Sequence, residues 1–272
     1  MKGKKLYQIL TVTAIACLSA VSCDKIDFDD RFDGPIVVET GKNILIEDYT
    51  GQKCSNCPLA HAEVENLQKA YGKNRVIAVA LHGGPQAVDE GNPNLIGLAN
   101  EESKEYNRRL GQFSYPKGVI DRKSGLLDFE KWNAYAVSRF PTAPKVNLQL
   151  HDITADTGSR KITFKCTVEG LEDAKGNLQL WLTESNIIAV QTLPAAWGGG
   201  HNTEYIHNHV FRGTVNGLDG ESLNLAKSEK ITKDFSCTVK DNRNLANMSL
   251  IAFYHNETEG VMQVIDAPVI EK

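Results

Sequence analysis

The feature that most constrains the fold is a Cys-x-x-Cys pair, Cys54-Ser55-Asn56-Cys57, placed between two regular elements. The apolar run 43–49 before it predicts a buried strand, and the periodic apolar residues of 58–71, ended by Gly72, predict an amphipathic helix. Free amides and the helix dipole at a helix N-terminus stabilise a thiolate. The pattern therefore predicts a redox-capable thiol pair at a strand-to-helix junction.

The elements that follow predict an α/β domain over residues 41–141. A second apolar strand, 75–81, completes a β-α-β unit. A helix over about 95–110, a short strand after Tyr115-Pro116 and a last helix over about 129–140 finish the domain.

Beyond the Pro141-Thr142-Ala143-Pro144 segment, the pattern changes to strands alone, which marks a domain boundary. Seven strands separated by Gly, Asn and Asp turns are predicted: 145–150, 161–168, 178–184, 210–215, 229–239, 248–254 and 261–270. This spacing predicts an antiparallel β-sandwich of the immunoglobulin or fibronectin type over residues 145–272.

The N-terminus predicts export and lipid anchoring. Residues 1–22 have a basic start and a short apolar stretch, as in a cleaved signal peptide. Ala20-Val21-Ser22-Cys23 resembles a lipobox, so Cys23 is expected to carry the lipid, and residues 23–40 read as an acidic tether. The predicted location is the outer membrane, on its periplasmic or surface face.

Net charge argues against nucleic acid as a partner. The chain has 34 acidic and 30 basic residues, a net charge of -4 with neutral histidines. The expected contacts are the membrane, through the lipid, and either a protein disulfide substrate or a surface ligand.

A second cysteine pair lies in the strand-rich half. In 162–168 and 235–239 the apolar residues fall on one strand face, which directs Cys166 and Cys237 into one core. A structural disulfide between them is the favoured interpretation, and two buried thiols are the alternative.

The Cys-x-x-Cys pair together with Tyr115-Pro116 before a later strand resembles the thioredoxin superfamily. The resemblance implies that Cys54 attacks, Cys57 resolves, and Pro116 is a cis-proline facing them, with Tyr115 in the substrate groove. Lys53 would border the same groove and lower the pKa of Cys54. The Trp usual before the first cysteine is absent, and the Ser-Asn dipeptide is unusual for the family, which leaves the direction of electron flow open.

A wider resemblance covers nearly the whole chain after the signal. The lipobox, the run 47–58, His82-Gly83, Tyr115-Pro116 and the run 205–212 are similar, in this order, to outer membrane protein 28-related lipoproteins of Gram-negative anaerobes. That resemblance implies a thioredoxin-like domain, a β-sandwich and an outer membrane location.

Two functions therefore stay open. One is thiol-disulfide exchange through Cys54 and Cys57, with Pro116 holding the substrate. The other is a non-catalytic binding or adhesion lipoprotein with a structural Cys54–Cys57 disulfide. A contact loop in that case would be 194–202, where Trp197 stands beside three glycines and His201.

The histidines suggest two alternative metal sets. His61 and His82 could join the cysteine pair, and His207 and His209 alternate on a predicted strand near His201. Hydrogen-bonded or solvent-facing histidines explain both patterns better, so no metal site and no cofactor are assigned.

Overall fold

A computed structural model describes residues 41–271 of the chain. The signal peptide predicted at 1–22, the tether at 23–40 and the lipidated Cys23 lie outside the described residues. Within 41–271, no helix is long and apolar enough to cross a membrane.

The first part of the described chain alternates strands and helices. Its elements are β1 (Ile44–Thr50), α1 (Cys57–Tyr71), β2 (Val76–His82), α2 (Glu101–Arg109), β3 (Lys117–Ile120) and α3 (Trp132–Arg139). A 3₁₀ turn, Phe129–Lys131, leads directly into α3.

The second part consists almost entirely of strands. They are β4 (Val146–Asp156), β5 (Lys161–Gly170), β6 (Ala174–Glu184), β7 (Ile187–Thr192), β8 (His201–His207), β9 (Val210–Thr214), β10 (Glu221–Leu225), β11 (Lys230–Thr238), β12 (Met248–Asn256) and β13 (Gly260–Pro268). All seven strands predicted in this half are present, and β7, β8 and β10 are additional.

The strands form one mixed sheet and two antiparallel sheets. The mixed sheet has eight strands in the order β13-β12-β6-β9-β2-β1-β3, with β10 paired to β6. The β1 and β2 strands are parallel, and β3 is antiparallel to β1. A single pair, Ala80 with Val210, joins β2 to β9, so this sheet continues across the boundary predicted at 141–145.

A second sheet, β11-β5-β4, supplies the other side of the largest apolar core. Strand β5 alternates strictly, with Ile162, Phe164, Cys166 and Val168 buried. These side chains share a core with apolar residues of β6 and β12 from the eight-stranded sheet. The period of two therefore identified the buried face of β5 correctly.

Helix α1 begins where the sequence predicted it. Pro58 stands in its first turn, where a missing amide proton costs no hydrogen bond, and Gly72 ends the helix at a φ of 96°. The apolar stripe that includes Val64 and Leu67 is buried against the sheet. This packing fixes the helix start, and with it the Cys-x-x-Cys pair.

Helix α2 is shorter than predicted, because it begins at Glu101 and not near residue 95. Asn100 is extended, and its side chain accepts a hydrogen bond from the Ser103 amide while the Ser103 hydroxyl receives one from Asn100. Such a capping box ends the preceding loop sharply. Residues 83–100 consequently form a long connection between β2 and α2.

The β7–β8 hairpin (residues 187–207) makes a two-stranded sheet of its own. Its strands pair from Ile187 with His207 to Thr192 with His201, with an irregularity near Ala189. The hairpin is the element that reaches the Cys-x-x-Cys loop.

Candidate functional site

The Cys-x-x-Cys pair follows the end of β1 and opens α1. Cys54 and Cys57 form a disulfide, with their Cα atoms 5.4 Å apart. Strand β1 ends at Thr50, and the turn that follows leads to Cys57, the first residue of α1. The strand-to-helix junction predicted from the sequence is therefore present and oxidised.

Both cysteines are buried under the rest of the chain. Cys54 is 2% exposed and Cys57 is fully buried. The Gln191 side-chain amide of β7 donates to the Cys54 carbonyl (2.8 Å), and the Thr192 amide donates to the Gln52 carbonyl (2.8 Å). The β7–β8 hairpin thus packs directly on the loop that carries the disulfide.

Gln52 ties the same loop to two further segments. Its side-chain amide donates to the carbonyls of Ile96 (3.0 Å) and Val190 (3.2 Å), and its oxygen accepts from the Leu98 amide (3.1 Å). Gln52, two residues before Cys54, is therefore a buried polar link between the long connection and the hairpin.

Pro116 lies at the same sheet edge as the disulfide. The Tyr115-Pro116 bond is cis, as the resemblance to the thioredoxin superfamily implied. Lys117 pairs with Tyr49, which places Pro116 beside the end of β1. Pro116 is buried, Tyr115 is half-buried against Phe113, and Lys53 is exposed.

Asp48 is a buried acid below this loop that the sequence analysis did not single out. Its side chain is 3% exposed, and its Oδ1 has no hydrogen-bond partner among the described residues. Burial raises the pKa of Asp48 to about 8. The sequence feature that could have identified Asp48 is its position inside an apolar strand, six residues before Cys54.

Three histidines lie close together, and His61 is the one beside Asp48, with its Nε2 atom 3.6 Å from Asp48 Oδ2. The His61 ring hydrogen-bonds to Thr50 Oγ1 (3.0 Å) through Nε2 and to the Tyr205 hydroxyl (2.9 Å) through Nδ1. The His207 ring centre lies 6.3 Å from that of His61 and 5.5 Å from that of His82. Sequence reasoning had placed these residues in two separate candidate sets.

Burial keeps these imidazoles neutral. It lowers the pKa of His61 to about 3 and of His207 to about 4, and it lowers the pKa of His82 well below its usual value. Neither ring nitrogen of His82 has a hydrogen-bond partner within residues 41–271. In the same part of the chain, no three His, Cys, Asp or Glu side chains are arranged to hold a metal ion.

The disulfide predicted between Cys166 and Cys237 is wrong, because both residues are free thiols. Cys166 lies opposite Lys233, whereas Cys237 lies opposite Ile162, four residues earlier on β5. Burial raises the pKa of Cys166 to about 12 and of Cys237 to about 11, which makes both thiols poor nucleophiles. The strand register, which the face pattern does not specify, separates them.

The predicted contact loop lies at the end of the β7–β8 hairpin. Trp197 is 46% exposed, and Gly198, Gly199 and Gly200 all have positive φ angles. His201 is exposed and bonds only locally, to the Thr192 hydroxyl (3.1 Å). Ile188 and Ile206, paired across the hairpin, are also exposed.

Comparison with known protein families identifies the family of this chain. The family model for outer membrane protein Omp28 matches residues 103–272, which is more than half of the chain. The chain belongs to the Omp28 family. Membership confirms the resemblance read from the motifs, and it indicates association with the outer membrane. No curated protein matches this chain.

Solved structures show the likeness in fold. HBP35 of Porphyromonas gingivalis is 18% identical, with a TM-score of 0.60 over 84% of this chain and 76% of its own. A domain of the outer membrane lipoprotein Omp28 from the same organism is 20% identical and matches 46% of this chain and 87% of its own, with a TM-score of 0.30. A β-glucosidase from Kluyveromyces marxianus is 13% identical and matches 47% of this chain and 14% of its own, with a TM-score of 0.26. Of these three, HBP35 alone is similar enough to support a shared fold.

Proposed function

We propose that this chain is an outer membrane lipoprotein, anchored through Cys23, with a non-catalytic binding role and a structural Cys54–Cys57 disulfide. The Omp28 family match supports the location, and the lipobox-like Ala20-Val21-Ser22-Cys23 supports the anchor. The burial of Cys54 is the observation that carries the assignment of the disulfide.

Burial matters because disulfide exchange needs access to a sulfur atom. An incoming thiolate must approach one sulfur of the bond to form a mixed disulfide. Cys54, the residue a thioredoxin exposes, is 2% exposed, and the loop around it is held by Gln191 and Gln52. A disulfide in this position stabilises the junction of β1 and α1.

The β7–β8 hairpin supports the binding role. It presents Ile188, Ile206 and Trp197 to solvent from a separate two-stranded sheet. Exposed apolar side chains grouped on one element are typical of contact surfaces. The side of the hairpin that carries Gln191 and His207 is buried.

The test is the stability of the disulfide toward reduction. The oxidised protein is equilibrated in glutathione buffers of graded potential, and free thiols are counted after alkylation, with Cys54→Ser as the reference that has no bond. A structural bond stays oxidised at the potential of a reducing cytosol. Half-reduction at the potential of thioredoxin-type enzymes would reject the proposal.

Thiol-disulfide exchange is the second candidate, because of Asp48 and the topology around it. The β-α-β unit with the Cys-x-x-Cys pair at the start of α1, the antiparallel β3 and Pro116 at the same edge support a thioredoxin-like site. Burial raises the pKa of Asp48 to about 8, a value suited to proton transfer near neutral pH.

In this candidate function the reduced protein acts as electron donor. The Cys54 thiolate attacks a substrate disulfide and releases one substrate thiol, and the Cys57 thiolate then displaces the second while the Cys54–Cys57 bond re-forms. A separate dithiol must reduce the protein after each turnover. An insulin reduction assay decides the matter: wild type must be faster than Cys54→Ser for exchange to stand.

A further inference from the structure

A cavity of about 590 Å³ lies along α1, apart from the disulfide. One wall is the face of α1 that carries His61, Val64 and Lys69, and the opposite wall contains Tyr205 and Ile206. A volume of this size is typical of small-molecule sites. The cavity shares Asp48 with the candidate exchange reaction and Ile206 with the exposed hairpin surface, but neither function requires a ligand inside it.

The mouth of the cavity is positively charged. Lys69 and Lys73 are exposed, and neither makes a salt bridge within residues 41–271. Glu65 is the one acidic residue beside them on this lining. The two ammonium groups outweigh it and favour an anionic group at this end.

The opposite end is polar and buried, and one of its polar atoms lacks a hydrogen-bond partner among the described residues. Asp48 lines the cavity, and its Oδ1 has no hydrogen-bond partner among the described residues. Burial raises the pKa of Asp48 to about 8, so at pH 7 this carboxyl is mostly neutral and can donate a hydrogen bond. The Tyr205 hydroxyl, bonded to His61 at 2.9 Å, stands at the same end.

Between the two ends the lining is mixed, with the apolar Val64, Ala78, Ala80 and Ile206 beside the polar Gln68, Ser185, Asn186, Asn208 and His209. Ala78 and Ala80 of β2 form one side, and Val64 and Ile206 face the same space. His61 and Lys69 are eight residues apart on α1, which corresponds to about 12 Å along the helix axis. The cavity therefore matches an extended molecule whose middle presents apolar groups to Val64, Ala78 and Ala80.

From this arrangement we infer that the cavity binds an elongated amphipathic carboxylate, with its anionic group at Lys69 and Lys73 and a hydrogen-bond acceptor at Asp48. The apolar body lies against Ala78, Ala80 and Val64. A cationic ligand is disfavoured by the two lysines. This inference goes beyond the proposed function, and its tests use the oxidised protein, so they do not depend on whether the disulfide exchanges.

Calorimetry with three matched probes tests the two ends separately. The probes are 7-oxooctanoate, octanoate without the ketone, and 2-octanone without the carboxylate. We expect 7-oxooctanoate to bind most tightly, about fivefold or more above either comparison compound, since each lost polar contact costs about 1 kcal/mol. Absence of binding by 7-oxooctanoate, or equal affinity for all three, overturns the inference.

Two variants locate the site. The double variant Lys69→Gln and Lys73→Gln should bind 7-oxooctanoate several-fold more weakly and bind 2-octanone with unchanged affinity. The control variant Lys227→Gln, on an exposed turn outside the cavity lining, should leave both affinities unchanged. Ala78→Leu should abolish binding by filling the cavity, with circular dichroism to check the fold. If the lysine pair has no effect on the carboxylate, the site lies elsewhere and the inference fails.

Discussion

The loop around Cys54 and the core under β4, β5 and β11 are both buried, but they bury different chemistry. Near Cys54 the buried side chains include Asp48, Gln52, His82, Gln191 and His207. The large core beside β5 consists mainly of apolar side chains; the Tyr254 hydroxyl within it donates to the Leu223 carbonyl, and its buried cysteine is an inert thiol. Apolar burial needs only the right face pattern, whereas each buried polar group needs particular partners from distant parts of the chain.

The largest expected effect concerns a buried ion pair at the base of β1. Asp121 pairs with the buried Lys42 and accepts hydrogen bonds from Arg139 (3.2 Å) and the Leu45 amide (3.0 Å). Asp121→Asn keeps the shape but leaves Lys42 without its counter-charge, so we expect a loss of about 3–5 kcal/mol in the free energy of unfolding. Urea denaturation measures it. Glu169→Gln, at the more exposed pair with Lys230, is the control and should change far less.

Truncation of an apolar side chain in the core beside β5 should lower the free energy of unfolding nearly as much, without affecting the loop around Cys54. Phe164 is 2% exposed and stacks on Phe235 at 5.6 Å. Phe164→Ala should cost about 3–4 kcal/mol through the cavity it leaves. The rate at which dithiothreitol reduces Cys54–Cys57 in the folded protein should stay unchanged, and a large change would show that the two regions are coupled.

Acid should destabilise the polar region through its neutral histidines. Burial lowers the pKa of His207 from 6.5 to about 4, so the unfolded chain binds a proton that the folded chain does not. The contribution of His207 to stability is complete above pH 6.5 and is lost as the pH falls toward 4. The stability difference between wild type and His207→Asn should therefore shrink by about 2–3 kcal/mol from pH 7 to pH 4.

Urea titrations at several pH values provide this measurement. The control is His201→Asn, because His201 is exposed at the end of the hairpin. Parallel pH curves for wild type and His207→Asn would contradict the assignment of a buried neutral imidazole at residue 207.

A moderate effect is expected where the hairpin meets the disulfide loop. Gln191→Ala removes the 2.8 Å hydrogen bond to the Cys54 carbonyl and loosens the cover of the disulfide. Reduction by dithiothreitol should accelerate about fivefold, as expected for one lost hydrogen bond of about 1 kcal/mol. Ile188→Thr, on the exposed side of the same hairpin, should leave the rate unchanged. Equal rates for wild type and Gln191→Ala would show that the hairpin does not limit access.

The smallest effect is expected at the second cysteine pair. Because Cys237 is a free, half-buried thiol, Cys237→Ser should change the free energy of unfolding by less than about 0.5 kcal/mol. Ellman's reagent should find two thiols in the unreduced chain starting at Asp24 once it is unfolded. Finding none would restore the disulfide between Cys166 and Cys237.

The sequence predicted the secondary-structure elements near the site better than the contacts between them. The Cys-x-x-Cys junction, the start of α1 and the cis bond before Pro116 follow from local pattern and resemblance, and they are present. The β7–β8 hairpin was missed because the alternation of apolar and polar residues is weak, above all in β8, whose sequence is HNTEYIH. Without it, the burial of Cys54 could not be foreseen.

Sequence alone determined the α/β order of the first part, the strand-rich second part, the position of the disulfide and the family. Those properties depend on periodicity and on residues close together in the chain. Tertiary structure decided that Gln191 covers the disulfide loop, that His61, His82 and His207 come together, and that Cys166 and Cys237 stay apart. These outcomes depend on register and on contacts between distant segments, which local pattern does not specify.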